Sequence, residues 1–294
     1  MESRRLSELA RSRGVRHSIS VNGVTSVYYE YPSSEPTSST LVMVHGYRGN
    51  HRGLEAIAAG LTNFRVIIPD LPGFGESAAL SSEHSVSNYA VWLHQFVTQL
   101  GLEKSLNLMG HSFGTLVVGT YATMYPVRSL SLVNPVSSPA LQGPRALLTK
   151  LAQLYYRVAD VLPTKAGDWL LRNKLAVLVM SSVMAKTSDR SLRSWIHKQH
   201  LDNFSDFATV SVATEGYEAS ISTDLSKLAP SIVAPVLVVA ATLDDITSIE
   251  AQRVAFELYP RGSFQEIQGV GHLVHYEAPD QAAKFISNFL DGLS

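Results

Sequence analysis

Apolar residues run unbroken through "TLVMVHG", "FRVIIPD", "SLNLMG", "SLSLVN" and "PVLVVAAT". Runs of this kind predict strands buried on both faces of a parallel sheet, because a half-exposed strand alternates apolar and polar positions. That alternation does occur in "HSISVNGVTSVYYEY", around Asn22-Gly23, and predicts a hairpin. A polar loop, "PSSEPTSST", separates the hairpin from the first apolar run, and "SFQEIQ" supplies a last strand near the C-terminus. Between the runs, helices are predicted over about 51–62, 86–100, 114–125, 249–259 and 280–290. Pro126 stops the third of them.

Strands that alternate with helices predict an α/β fold, a doubly wound and mostly parallel sheet with right-handed crossovers. From about 142 to 221 the alternation gives way to helical patterns alone. We therefore expect a core domain from 1–135 and 231–294, with 136–230 inserted as a helical cap over one end of the sheet.

Composition narrows the function classes. The chain has 294 residues and a formal net charge of -1, which gives no general attraction to nucleic acid or anionic membranes. It contains no cysteine, which excludes disulfides, thiolate catalysis and cysteine-ligated zinc, and fits a reducing, cytoplasmic location. The start "MESRRLSELARSRGVR" carries Glu2 and Glu8 and no apolar core follows, so it reads as a short amphipathic helix. Residues 175–185 are too few to span a bilayer, and 105–127 are broken by Gly110, His111, Gly114 and Gly119. No transmembrane helix is expected. Nothing specifies an oligomeric state.

The chemistry is concentrated in "LNLMGHSFGTLVV", where a buried strand meets a buried helix around G-x-S-x-G. Gly110 and Gly114 remove side chains that would collide in a sharp strand-to-helix turn, leaving the Ser112 hydroxyl exposed at the sheet edge. A Gly-rich turn needed only for close packing is the plainer alternative. The strand-turn-helix setting favours a nucleophile, because the helix N-terminus and the Phe113 N–H point towards the same space.

A serine hydroxyl needs a base, and the base needs an orienting acid. "QEIQGVGHLVHYEAPD" places His272 in the loop after the last strand, with His275 as the rival nearer the following helix. "PVLVVAATLDDITS" offers Asp244 and Asp245 in the turn after the penultimate strand, and loop position favours Asp244. The other acid position of this architecture holds Asn134, which cannot stabilise an imidazolium as a carboxylate does. A second oxyanion donor is expected from the Tyr47 N–H, with His45 and Gly46 shaping its turn.

Taken together, "HGYRG", "DLPGFGES", "GHSFGT", "PVLVVAATLDD" and "GVGHLVHYEAP" resemble the α/β-hydrolase family, in its subgroup with a helical cap. They follow family order over almost the whole chain, from about 21 to 290. The departure is Ala241, where the family often has a glycine or similar turn residue. The resemblance implies Ser112 as nucleophile, His272 as base, Asp244 as acid, and Tyr47 and Phe113 as oxyanion donors. Relatives that dehalogenate or open epoxides carry a carboxylate at the nucleophile position, so the serine implies acyl transfer to water, with no metal or organic cofactor.

The substrate signals are weaker. Leu147, Leu148, Leu151, Leu154, Tyr155, Tyr156, Trp169, Leu170, Leu171 and Trp195 recur at helical spacing and are expected mostly to form the cap's own core, with some facing an apolar cleft. A small to medium, largely apolar carboxylic ester or thioester fits this best. "YRGNHRG" sets Arg48, His51 and Arg52 beside the oxyanion loop. Arg48 is the candidate for gripping a substrate carboxylate, against the plainer alternative of a solvated surface arginine. Two further readings stay open. One is a carbon–carbon bond hydrolase of ring-cleavage products, with Arg190 and Arg193 its only suggestion. The other is a non-catalytic binding protein on the same fold.

Overall fold

Asn22 and Gly23 have φ of 49° and 85°, and close β1 (Val15–Val21) onto β2 (Val24–Tyr31) in a two-residue turn. Positive φ at both central positions matches the right-handed twist of the strands, which Asn-Gly supplies at little cost. The computed structural model describes residues 2–35, 39–142 and 146–293. The polar loop expected over 32–40 falls partly outside those residues.

The apolar runs form β3 (Thr40–Val44), β4 (Arg65–Pro69), β5 (Asn107–His111), β6 (Ser129–Val133) and β7 (Val236–Ala241), with β8 (Gly262–Ile267) at the edge. The eight strands lie in the order β1-β2-β4-β3-β5-β6-β7-β8; β1, β2 and β4 pair antiparallel and the remaining pairs are parallel. Unbroken hydrophobicity has a direct cause here. Val42, Val44, Ile67, Leu108, Leu130 and Val238 feed one core, and Leu41, Met43, Val66, Met109, Val133 and Val239 feed the other.

Helices cover both faces. The first core is closed by α3 (Val86–Gln99) and α4 (Phe113–Met124), through Trp92, Phe96, Leu116 and Val117. The second is closed by α1 (Glu2–Arg13), α2 (Glu55–Ala59) and α13 (Pro279–Asp291), through Leu6, Ile57, Ala282 and Ile286. The helix expected over 51–62 is shorter than its pattern. His51–Gly53 form a 3₁₀ turn, and α2 stops at Gly60, where an added Cβ would meet the Ala283 side chain at 2.7 Å.

Between β6 and β7 the described chain contains α5 (Ala146–Val161), α6 (Thr164–Leu171), α7 (Lys174–Met184), α8 (Arg190–Asn203), α9 (Val210–Ser222) and α10 (Leu225–Leu228). The expectation of an apolar core for these helices holds only in part. Tyr155, Tyr156, Leu170 and Leu171 pack inward, but Leu147, Leu148, Leu151, Leu154 and Trp169 are exposed. The reason is geometric: α5 buries Tyr156 and Ala159, and among the described residues its opposite face is exposed. After β7 come α11 (Ile249–Phe256) and the single turn α12 (Val274–Glu277), which the sequence pattern does not resolve.

Candidate active site

Strand order reverses between β3 and β5: the chain leaves β3 towards β4 on one side and returns to β5 on the other. Open α/β sheets bind ligands in the crevice at such a point, outside the carboxyl ends of the strands. Tyr47 follows β3 and Ser112 follows β5, so both stand on that crevice.

Ser112 has φ 53° and ψ -120°, a strained conformation for a residue with a side chain. Its neighbours explain how the turn closes. A Cβ on Gly110 would lie 2.5 Å from the Gly114 carbonyl oxygen, and one on Gly114 would lie 2.2 Å from the Val44 carbonyl oxygen. The Ser112 N–H donates to the Val133 carbonyl at 3.1 Å, and its own carbonyl accepts from the Thr115 N–H at 2.8 Å. The side chain caps nothing and stays free for the crevice.

The Ser112 Oγ lies 2.7 Å from His272 Nε2. On the other side of the ring, His272 Nδ1 lies 2.9 Å and 3.1 Å from the two carboxylate oxygens of Asp244. Asp244 is buried and saturated with donors: Ile246 N–H at 2.7 Å, Thr247 N–H at 3.3 Å and Asn134 Nδ2 at 2.8 Å. Burial alone would raise its carboxyl, but the facing His272, Asn134 and the Ile246 N–H outweigh that and hold it below the ordinary aspartate value. Asp245 turns the opposite way, where the Lys186 ammonium pairs with it. His275 lies in α12, and its Nδ1 faces His111 Nε2 at 3.0 Å.

Phe113 is the first residue of α4, where an N–H has no acceptor one turn earlier. Gly46 packs on the strand-to-helix turn, where an added Cβ would stand 3.3 Å from Ser112 Cβ. His45 holds the turn from within: its Nδ1 donates to the Gly46 carbonyl and its Nε2 accepts the Leu71 N–H, both at 2.9 Å. Asp70 braces the same loop, accepting the His51 N–H at 2.7 Å and the Glu76 N–H at 2.9 Å. Among the described residues no group of three or more His, Asp or Glu side chains is arranged to hold a metal.

The family model for the alpha/beta hydrolase fold matches residues 39–279. The chain belongs to the α/β-hydrolase family. Lipase 3 of a Moraxella species is 25% identical over 285 residues, covering 92% of this chain and 83% of that protein. Lipase 1 of Psychrobacter immobilis is 26% identical over 256 residues, covering 83% and 74%. The structure of a thermophilic esterase from Thermogutta terrifontis superposes with a TM-score of 0.76 at 22% identity, covering 95% of this chain and 99% of that one. With family membership and such relatives, the chain is a hydrolase.

Arg48 of this α/β-hydrolase is not on the surface; it is 2% exposed, so the solvated alternative is overturned. Its guanidinium donates to the carbonyls of Leu171 at 2.7 Å and Phe204 at 2.8 Å and to the Tyr156 hydroxyl at 3.2 Å, and lies over the rings of Phe204 and Phe207. It thereby ties the loop after β3 to α5, α6 and the end of α8. Arg52 and His51 make no such reach: His51 is buried against Asp70.

A second tie was not legible in the sequence. Glu277 accepts the N–H groups of Lys186 and Thr187, at 2.7 Å and 2.8 Å, and that of Gly271 at 2.9 Å. One carboxylate thus joins the α7–α8 connection to the residue preceding His272. The only sequence signal is position, five residues after the histidine in "GHLVHYE".

Proposed function

We propose that this protein hydrolyses carboxylic esters or thioesters of small to medium, largely apolar acids through a Ser112–His272–Asp244 triad. The observation that carries the proposal is the hydroxyl held 2.7 Å from an imidazole whose other nitrogen faces a buried carboxylate. In this reading His272 takes the Ser112 proton as the hydroxyl oxygen attacks the substrate carbonyl. The tetrahedral oxyanion is held by the N–H groups of Tyr47 and Phe113. As it collapses, the leaving alcohol or thiol takes the proton from His272, leaving an acyl-Ser112. Water, deprotonated by His272, then attacks that ester, and the proton returns to Ser112 as the acid departs.

The six helices between β6 and β7 act in this reading as the cap. Tyr156 and Tyr217, stacked at 4.3 Å, and Tyr47 beside them support an apolar acyl group over a sugar or peptide. The relatives named lipases favour ester cleavage over carbon–carbon cleavage. A fluorophosphonate probe tests the proposal. The expected result is stoichiometric labelling at Ser112, abolished in Ser112→Ala, with turnover across a p-nitrophenyl ester series. Labelling elsewhere, or hydrolysis that survives Ser112→Ala, overturns it.

A further inference from the structure

Leu147, Leu151, Leu154, Val158 and Val161 recur every three or four residues of α5 and so line one face of that helix. The face is turned to solvent: exposure runs from 40% at Val158 to 82% at Val161. Tyr156 and Ala159 bury the opposite face. A helix needs one apolar face to pack in a domain; α5 carries two. On α6, the next helix, Trp169 is 69% exposed. Single exposed leucines are ordinary, but a contiguous apolar ridge marks a surface that meets something.

The charges on this ridge indicate what it meets. Lys150 sits three residues after Leu147 and four before Leu154, on the outward face, and Lys165 precedes Trp169 by one helical turn. Both lysines are exposed and have no ion pair among the described residues. The other charges of α5 are already partnered. Asp160 accepts the Thr214 hydroxyl of α9 at 3.3 Å, and Arg157 pairs with Glu218 of α9 at 3.2 Å. On α6, Asp168 is taken by Arg172 at 2.7 Å. The outward surface is thus aliphatic and aromatic, with unpaired ammonium groups.

We propose that the outward face of α5 and α6 docks on the surface of an anionic phospholipid bilayer. Leucine and valine side chains enter the headgroup–acyl boundary, the lysines meet lipid phosphates, and Trp169 sits at headgroup level. Among the described residues no helix is long and apolar enough to cross a membrane, so the contact lies in the plane of the bilayer. A second copy of the chain is a poorer occupant. A two-fold contact sets a surface against itself, bringing the lysines of two copies together with no carboxylate on the α5 face to offset them. The inference does not rest on the ester-hydrolase reading.

Vesicle binding of the whole protein tests it, using equal parts of phosphatidylcholine and phosphatidylglycerol. Trp169 is a built-in reporter, the most exposed of three tryptophans: Trp92 is buried, and Trp195 is half-buried and packed edge-on against Tyr276. Expected are cosedimentation, a blue shift of tryptophan emission and quenching by brominated acyl chains. Binding should weaken roughly tenfold or more in Lys150→Glu/Lys165→Glu and on pure phosphatidylcholine. Leu151 and Leu154 are 54% and 58% exposed, so Leu151→Asp/Leu154→Asp should keep its melting temperature and its hydrolysis of a soluble ester. That variant should lose roughly tenfold or more of its vesicle affinity. The proposal is overturned if the parent stays in the supernatant with unshifted emission, or if the leucine variant binds vesicles as the parent does. It is also overturned if sedimentation velocity finds a dimer that the leucine variant splits, which gives the face to a second copy.

Discussion

Asn134 donates to the Oδ2 of Asp244 at 2.8 Å, from a residue whose φ of 48° few side chains other than asparagine adopt readily. The amide therefore stands at the end of β6 facing the carboxylate at the end of β7. It supplies a hydrogen where a second acid would supply repulsion.

Asn134→Asp should place two carboxylates in one buried site, and like charges that close raise the pKa of the pair. A carboxyl raised above its unfolded value costs stability at high pH, and the cost is relieved as it protonates. The variant should be less stable than the parent at neutral pH, by about 1–3 kcal/mol, with the deficit shrinking as pH falls. Urea unfolding at several pH values measures this. A deficit independent of pH would assign the loss to packing instead.

Glu277 accepts three backbone N–H groups that come from two separate segments. Glu277→Gln keeps the shape but turns an amide NH2 towards at least one of those donors. A loss of about 1–3 kcal/mol in stability is expected. Labelling of Ser112 should slow along with it, because Gly271 precedes His272. Thermal unfolding and labelling kinetics on the same variant check both. Normal labelling in a destabilised variant would confine the residue to a structural part.

Arg48→Ala orphans the Leu171 and Phe204 carbonyls and removes contacts with two phenylalanine rings. About 2–4 kcal/mol of stability should go, with kcat/KM for neutral and anionic esters falling by one common factor. A fall confined to anionic esters would give Arg48 the substrate carboxylate.

His111 and His275 form a buried pair behind the turn that carries Ser112. The His272 carbonyl, 3.2 Å from His111 Nε2, can only accept, so that nitrogen carries the hydrogen and His275 Nδ1 accepts from it as well. Burial, then the charge-opposing His272 ring, pushes His111 down to about 3; burial, then the His111, His200 and His272 rings, pushes His275 well below 6.5. Both pKa values are lower in the folded chain than in the unfolded one. The unfolded state therefore binds more protons below about 6.5, and stability present above that pH is lost as it falls. His275→Leu removes one titrating ring and leaves His111 its carbonyl partner. Its stability should decline less steeply between pH 7 and pH 5, as guanidinium unfolding will measure; an unchanged slope would exclude the pair as the cause.

The local chemistry of the chain determined a great deal alone. Unbroken valine and leucine runs suit only strands covered on both faces, Asn-Gly closes a hairpin because both residues accept positive φ, and Gly110 and Gly114 are needed wherever a strand turns sharply into a helix. Such properties depend on neighbours in the chain. Contacts between segments do not, and the tertiary structure decided those. Asp244 and Asp245 are adjacent and chemically equal, and only the turn after β7 sends one towards His272 and the other towards Lys186. Arg48 looks like a surface residue until three inserted helices close over it. The two apolar faces of α5 are alike in periodicity, and which one is covered depends on where α6 and α9 pack, a long-range fact that no local pattern contains.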